Sequence, residues 1–201
     1  MIIHPEIENH GAIYDLISQR KKDLDGKIFV FNFDAHDDRF YSYDPEIHHD
    51  RVGSWANDVE KDDLAYVIHM RSYWRNGILR SQNNWRDSFA LKYLLEYYNL
   101  KKKDIREVWI SVDYDFFALY TSGNDNQSGK YFSPRRIYDL HQEGILSDEF
   151  QAIKKFFLTN KITVTKLVPA ISRPWLNMDK EYEDQFLSAV RSNINNLQTS
   201  M

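Results

Sequence analysis

Phe29-Val30-Phe31-Asn32-Phe33-Asp34-Ala35-His36-Asp37-Asp38 is an apolar run that ends abruptly in three carboxylates and an imidazole. Runs of this length, rich in Val and Phe, are typical of strands buried on both faces. A strand that ends in charge places that charge at the carboxyl edge of a sheet, where open α/β folds keep their ligand sites. While the chain stays extended, residues two apart point the same way, so Asp34, His36 and Asp38 converge. Oxygen and imidazole donors gathered in this way suit a divalent metal.

Outward from this stretch the pattern alternates. Upstream, residues 8–22 carry Ile13, Leu16 and Ile17 at helical spacing, and Asp25-Gly26 is a turn signal before a strand over Lys27 to Asp34. Downstream, a polar and aromatic loop over 39–50 contains Pro45 and the pair His48-His49. A short helix is expected over 53–62, a second buried strand over 64–70 and an irregular stretch over 72–84. The spacing of Phe89, Leu91, Leu94, Leu95 and Tyr98 predicts an amphipathic helix over 85–100. Val108-Trp109-Ile110-Ser111-Val112-Asp113-Tyr114-Asp115 then repeats the opening theme, an apolar strand running into carboxylates.

Beyond it lies a Gly/Asn/Ser-rich loop over 118–131. Ser133-Pro134 opens a helix, with Ser as N-cap and Pro in the first turn. A further helix over 147–158, a fourth strand over 162–170, a turn at 172–175 and a last helix over 179–197 complete the chain. Strands alternating with helices imply a mainly parallel sheet covered on both faces. The expectation is one α/β domain of three α/β/α layers.

Composition narrows the classes. The 201 residues suffice for a substantial core, and a net charge of -4 offers no basic surface able to track phosphates, so no nucleic-acid partner is expected. No apolar run approaches the roughly 20 residues of a membrane span. The opening residues show no signal-peptide pattern, and the chain has no cysteine, which fits a cytoplasmic protein. Without thiolates, any metal must be held by His, Asp and Glu.

Each acidic strand end has an ordinary reading, with Asp34 and Asp113 capping the helices after them and Asp38 and Asp115 solvated. Taken together they carry more weight. If the two strands are neighbours, four carboxylates and an imidazole meet within a small volume. Crowding four negative charges is strongly unfavourable without compensation, and two divalent cations would supply it.

Asp34-Ala35-His36-Asp37-Asp38 resembles the Asp-Ala-His-x-Asp motif of the arginase (ureohydrolase) superfamily, and Ser111-Val112-Asp113-Tyr114-Asp115 resembles its Ser-x-Asp-x-Asp motif. His10-Gly11-Ala12, 24 positions before Asp34, is similar in placement to a further histidine of arginases. The resemblance implies one metal held by His10, Asp34, Asp38 and Asp113, and a second held by Asp34, His36, Asp113 and Asp115. Two Mn²⁺ ions are the implied cofactors. Retention of both Asp38 and Asp115 favours this over the single zinc of the deacetylase-like branch. The implied chemistry is attack of activated water on a trigonal guanidinium or amide carbon.

In arginases a histidine of the loop after the first motif shuttles a proton to the leaving amine. His49 is the counterpart implied here, with His48 as competitor, and Asp37 stands with His49 as a catalytic candidate. The resemblance covers roughly His10 to Asp115. The glutamate that grips a guanidinium after the last arginase strand has no counterpart in Pro169-Ala170-Ile171-Ser172-Arg173, and the loop that recognises a free amino acid is not recognisable. The substrate implied is therefore a peptide or small guanidino compound, with peptidyl arginine converted to ornithine and urea. Phe40-Tyr41, Tyr73-Trp74 and Phe116-Phe117 either line an entry or belong to the core. A deacetylase-type amide hydrolase and a non-catalytic metal-binding protein are the rival readings.

Overall fold

The computed structural model describes residues 1–34, Arg39, Asp44, Glu46, Arg51, 53–71, 88–117, 145–172, Leu176 and 180–198. Among these residues five strands form one sheet: β1 (Ile2–Ile3), β2 (Lys27–Asp34), β3 (Ala65–Arg71), β4 (Ile105–Asp113) and β5 (Lys166–Ala170). The order across the sheet is β1-β5-β4-β2-β3, and every pairing is parallel. Among the described residues five α-helices accompany them: α1 (Ile13–Lys21), α2 (Trp55–Lys61), α3 (Ser88–Lys101), α4 (Ile145–Thr159) and α5 (Lys180–Gln198).

The alternation of side chains along β2 separates two cores. Phe29, Phe31 and Phe33 join Leu94 and Tyr98 of α3, Phe150, Ile153, Phe156 and Phe157 of α4, and Phe186, Leu187, Val190 and Ile194 of α5. On the other face, Ile28 and Val30 pack with Trp109, Val67 and Val168 under Ile13 and Ile17 of α1 and Trp55, Ala56 and Val59 of α2. The result is the expected three-layer α/β/α sandwich. Strand β2 is wholly buried after Lys27 because both of its faces are covered. That is why its sequence is a continuous apolar run and not an alternating one.

The fold differs from expectation at four places, the first being the opening helix, which starts at Ile13 after a 3-10 turn and not at residue 8. β1 carries no signal of its own in the sequence: it is two residues long, and it exists by pairing Ile2 with Lys166 and Ile3 with Leu167 of β5. β4 stops at Asp113, and Tyr114–Phe116 form a 3-10 turn. Asp113 and Asp115 therefore do not share a strand face by simple alternation. The last strand is shorter than its apolar pattern; Thr165 still reaches β4 through its N–H and hydroxyl, both donated to the Val108 carbonyl at 2.8 and 3.0 Å. Phe116 and Phe117 lie in the core, Phe117 stacked on Phe150 at 4.5 Å, which settles their role as packing. Phe40-Tyr41, Tyr73-Trp74 and the helix expected at Ser133-Pro134 lie outside the described residues.

Gly26 makes the turn into β2 with φ of +127°, a conformation that side-chain-bearing residues rarely adopt. A Cβ there would stand 2.5 Å from Arg106 Cγ and 3.1 Å from the Asp104 carbonyl oxygen. Gly26→Ala is expected to cost about 1–3 kcal/mol, read as a lowered urea midpoint at unchanged slope. A midpoint equal to the parent's would show that the turn relaxes freely. Among the described residues no helix is long and apolar enough to cross a membrane.

Candidate functional site

The crevice follows from topology. Among the described residues, the helix after β2 is α2, on the face that carries α1, while the helix after β4 is α4, on the opposite face. Connections that leave two adjacent strands for opposite faces open a cleft at their carboxyl ends. β2 and β4 are those neighbours, paired as far as Phe33 with Val112. Their last residues are Asp34 and Asp113. Both carboxylates stand on the α1/α2 side, continuing the rows of Val30–Asn32 and Trp109–Ser111.

His10 arrives from the opposite end of the sequence. After β1, Ile7 donates its N–H to Pro169 O at 3.0 Å and accepts from the Ile171 N–H at 2.9 Å, so the amino-terminal segment is fastened along the end of β5. Asn9 caps the 3-10 turn His10–Ala12 by accepting the Gly11 N–H at 2.7 Å. The His10 ring lies against Trp55 with centroids 5.2 Å apart. Trp55 opens α2, whose start is held by Asp58: its Oδ2 accepts from Ser54 Oγ at 2.9 Å and from Arg51 at 2.7 Å. Arg51 in turn lies 3.7 Å over the Tyr14 ring of α1.

In this setting His10 Nδ1 lies 2.8 Å from Asp34 Oδ2 and 3.2 Å from Asp113 Oδ2. All three residues are 3% exposed or less. Their ligand atoms fall within 4.8 Å of one another. On the far side of the ring, Nε2 is hydrogen-bonded with Ser111 Oγ at 2.6 Å. That bond presents Nδ1 to the carboxylates, as a histidine ligand is oriented by the partner of its other nitrogen. Burial alone would lower the imidazole pKa, but Asp34 and Asp113 outweigh it and raise it well above the usual value. The site thus attracts positive charge.

The donor set fits a divalent cation, since two buried carboxylates and an imidazole converge with no apolar group required to fill the space. A further observation agrees. Asn32, wholly buried in the layer beneath, donates to Asp34 Oδ2 at 3.4 Å, and its own Oδ1 has no hydrogen-bond partner among the described residues. A dry core rarely leaves such an atom unsatisfied, whereas a hydrated or ligated cleft does.

Three of the residues singled out from the sequence, His10, Asp34 and Asp113, are brought together. Asp115 is wholly buried one turn further on, where its N–H donates to Asp113 Oδ1 at 3.3 Å, and it is not part of the three-residue cluster. His36, Asp37, Asp38, His48 and His49 lie outside the described residues. His69 is partly buried on β3, with Nε2 2.8 Å from the Asp34 carbonyl oxygen.

Several supporting residues escaped the sequence reading. Ser111 lies inside a recognised motif and Ser172 in an expected turn, neither with a role assigned from sequence, and Trp55 has no local signal. Tyr114 donates its hydroxyl to Glu6, which Arg191 of α5 grips through both oxygens at 2.7 and 2.8 Å. Burial and the Glu6 carboxylate push the Tyr114 phenol far above its usual range, so it remains a donor. This chain of contacts ties the residue between Asp113 and Asp115 to both ends of the sequence.

Fold and site together define a parallel-sheet α/β protein with an acidic, imidazole-bearing cleft at the carboxyl ends of β2 and β4. A solved structure that superposes on it is formimidoylglutamase from Bacillus subtilis, with a TM-score of 0.55 at 11% identity, covering 98% of this chain and 60% of the other. Helicobacter pylori arginase aligns with a TM-score of 0.48 at 14% identity, over 94% of this chain and 71% of its own. The present chain therefore spans about 60% of the formimidoylglutamase chain, and at such identities the likeness is one of fold. No family model matches the sequence, and no curated protein does.

Proposed function

We propose that this protein is a metal-dependent hydrolase of the ureohydrolase type, cleaving the carbon–nitrogen bond of an arginine side chain within a peptide to leave ornithine and release urea. The observation that supports this reading most is the closed cluster of His10, Asp34 and Asp113 at the switch-point cleft. These come from three distant parts of the chain, and they are residues that the motif resemblance assigns to a single metal together with Asp38.

Two Mn²⁺ ions held there would supply Lewis-acid activation of water near neutral pH. The chain's own residues divide the remaining work. Asp34 and Asp113 would be shared between the two metals, with His10 offering Nδ1 to one of them and Ser111 holding the ring in that orientation. His36 and Asp115 would complete the second set and Asp38 the first. His49, with Asp37 as a further catalytic candidate, would deliver the proton that the departing amine needs.

A peptide-borne side chain is favoured over free arginine by the rim after β5. In the stretch where the motif resemblance expects a guanidinium-binding glutamate, the sequence reads Pro169-Ala170-Ile171-Ser172-Arg173. A side chain projecting from a larger molecule requires no loop that reads a free α-amino and α-carboxylate group.

The test is to reconstitute the full chain with Mn²⁺ and assay urea from an arginine-containing peptide, beside acetate from an acetyl-lysine peptide. Urea with no acetate supports the proposal. Acetate without urea would transfer the protein to the deacetylase-type reading. Bound metal with neither product would leave a non-catalytic metal-binding protein.

A further inference from the structure

Ser172 stands two residues beyond the end of β5, and its backbone has φ of +47°. Glycine adopts this left-handed region freely and residues with a Cβ do so rarely, so a serine here is held in place by its surroundings. Its neighbours are fastened: Ala170 bridges to Ile7, and the Ile171 N–H donates to the Ile7 carbonyl at 2.9 Å. The side chain is buried, and its hydroxyl donates to Asp113 Oδ2 at 2.6 Å. The other oxygen of Asp113 accepts the Asp115 N–H at 3.3 Å. Both oxygens therefore take a donor from this chain, one from the turn after β4 and one from the turn after β5, and two such bonds fix the plane of the carboxylate. The oxygen that Ser172 engages is also the one 3.2 Å from His10 Nδ1.

We propose that Ser172 is a positioning residue for Asp113: the left-handed turn after β5 delivers its hydroxyl to hold that carboxylate in its ligating orientation. A turn needed only for chain reversal would be served better by glycine, which takes this conformation without strain. What glycine lacks is the donor. The inference rests on the metal-centre reading above and adds a residue that neither acidic motif contains.

The test separates the backbone from the hydroxyl. Chelator-stripped full-length protein, Ser172→Gly and Ser172→Ala are each titrated with Mn²⁺ by calorimetry, and their metal-free melting temperatures are measured. The expected result is that the glycine variant melts above the alanine variant, because it relieves the left-handed strain. Both variants are expected to bind Mn²⁺ roughly 10–100-fold more weakly than the parent, as when an outer partner of a ligand is lost. A glycine variant with the parent's affinity would overturn the positioning role while leaving the metal centre intact. A parent protein that binds no Mn²⁺ would overturn the metal centre itself and this inference with it.

Discussion

Asp34→Ala and Asp113→Ala are each expected to lose more than roughly 100-fold in Mn²⁺ affinity, since loss of a mere outer partner of a ligand already costs roughly 10–100-fold. Both residues end adjacent buried strands, and both face His10 Nδ1 within 3.2 Å. Removing either takes a ligand from both proposed metal sets and leaves the described cluster with one carboxylate and one imidazole. The same variants should lose the thermal stabilisation that the metal confers on the parent, which amounts to about 2.7 kcal/mol at a hundredfold excess over Kd. Asp58→Asn is the matched control. That carboxylate is also buried, but it serves Ser54 and Arg51 at the start of α2, outside the cluster. Its replacement should reduce stability and leave Mn²⁺ stoichiometry as it was. Equal metal binding by all three variants and the parent would remove the basis for a metal centre at this cleft.

Phe31→Ala is expected to destabilise the protein by about 3–5 kcal/mol, the range for deleting a buried aromatic ring. Phe31 is fully buried at the middle of β2, and its ring meets four others: Phe29 and Phe157 at 5.0 Å, Phe156 at 5.7 Å and Tyr98 at 5.9 Å. These partners come from α3, α4 and the same strand, so the resulting cavity cannot collapse without moving two helices. A loss of this size is a large fraction of the roughly 5–15 kcal/mol that stabilises a typical domain. Ile2→Ala, at a side chain 67% exposed on the edge strand, should change stability by less than about 0.5 kcal/mol. Urea unfolding measures both, and a loss under about 1 kcal/mol for Phe31→Ala would mean that this aromatic cluster does not organise the core.

The elements most legible in the sequence are those whose pattern reflects burial. β2 runs from Lys27 to Asp34 as its apolar run indicates, because every residue after Lys27 is covered by a helical layer. α2, α3, α4 and α5 fall within about three residues of their expected ends, the ordinary scatter of helix termini. β1 was not legible, because two residues carry no periodicity and Ile2–Ile3 becomes a strand by meeting the edge of β5. The early end of β4 was hidden for a related reason. Asp113 caps the adjoining turn by accepting the Asp115 N–H, a choice between local hydrogen bonds that hydrophobic pattern does not report.

The candidate site divides along the same line. Residue chemistry and spacing alone determined that two apolar strands end in acid, that His10 belongs with them by resemblance, and that a parallel α/β/α sheet carries them. Only the tertiary structure decided that β2 and β4 are neighbours at a switch point, and that the amino-terminal segment is fastened along β5 so that His10 reaches both aspartates. It alone set Ser111 and Ser172 as their supports. The physical reason is range. Burial and helix periodicity are local and are written into adjacent residues, whereas a ligand cluster is made by contacts between segments as far apart as His10 and Ser111, whose meeting depends on the packing of everything between them.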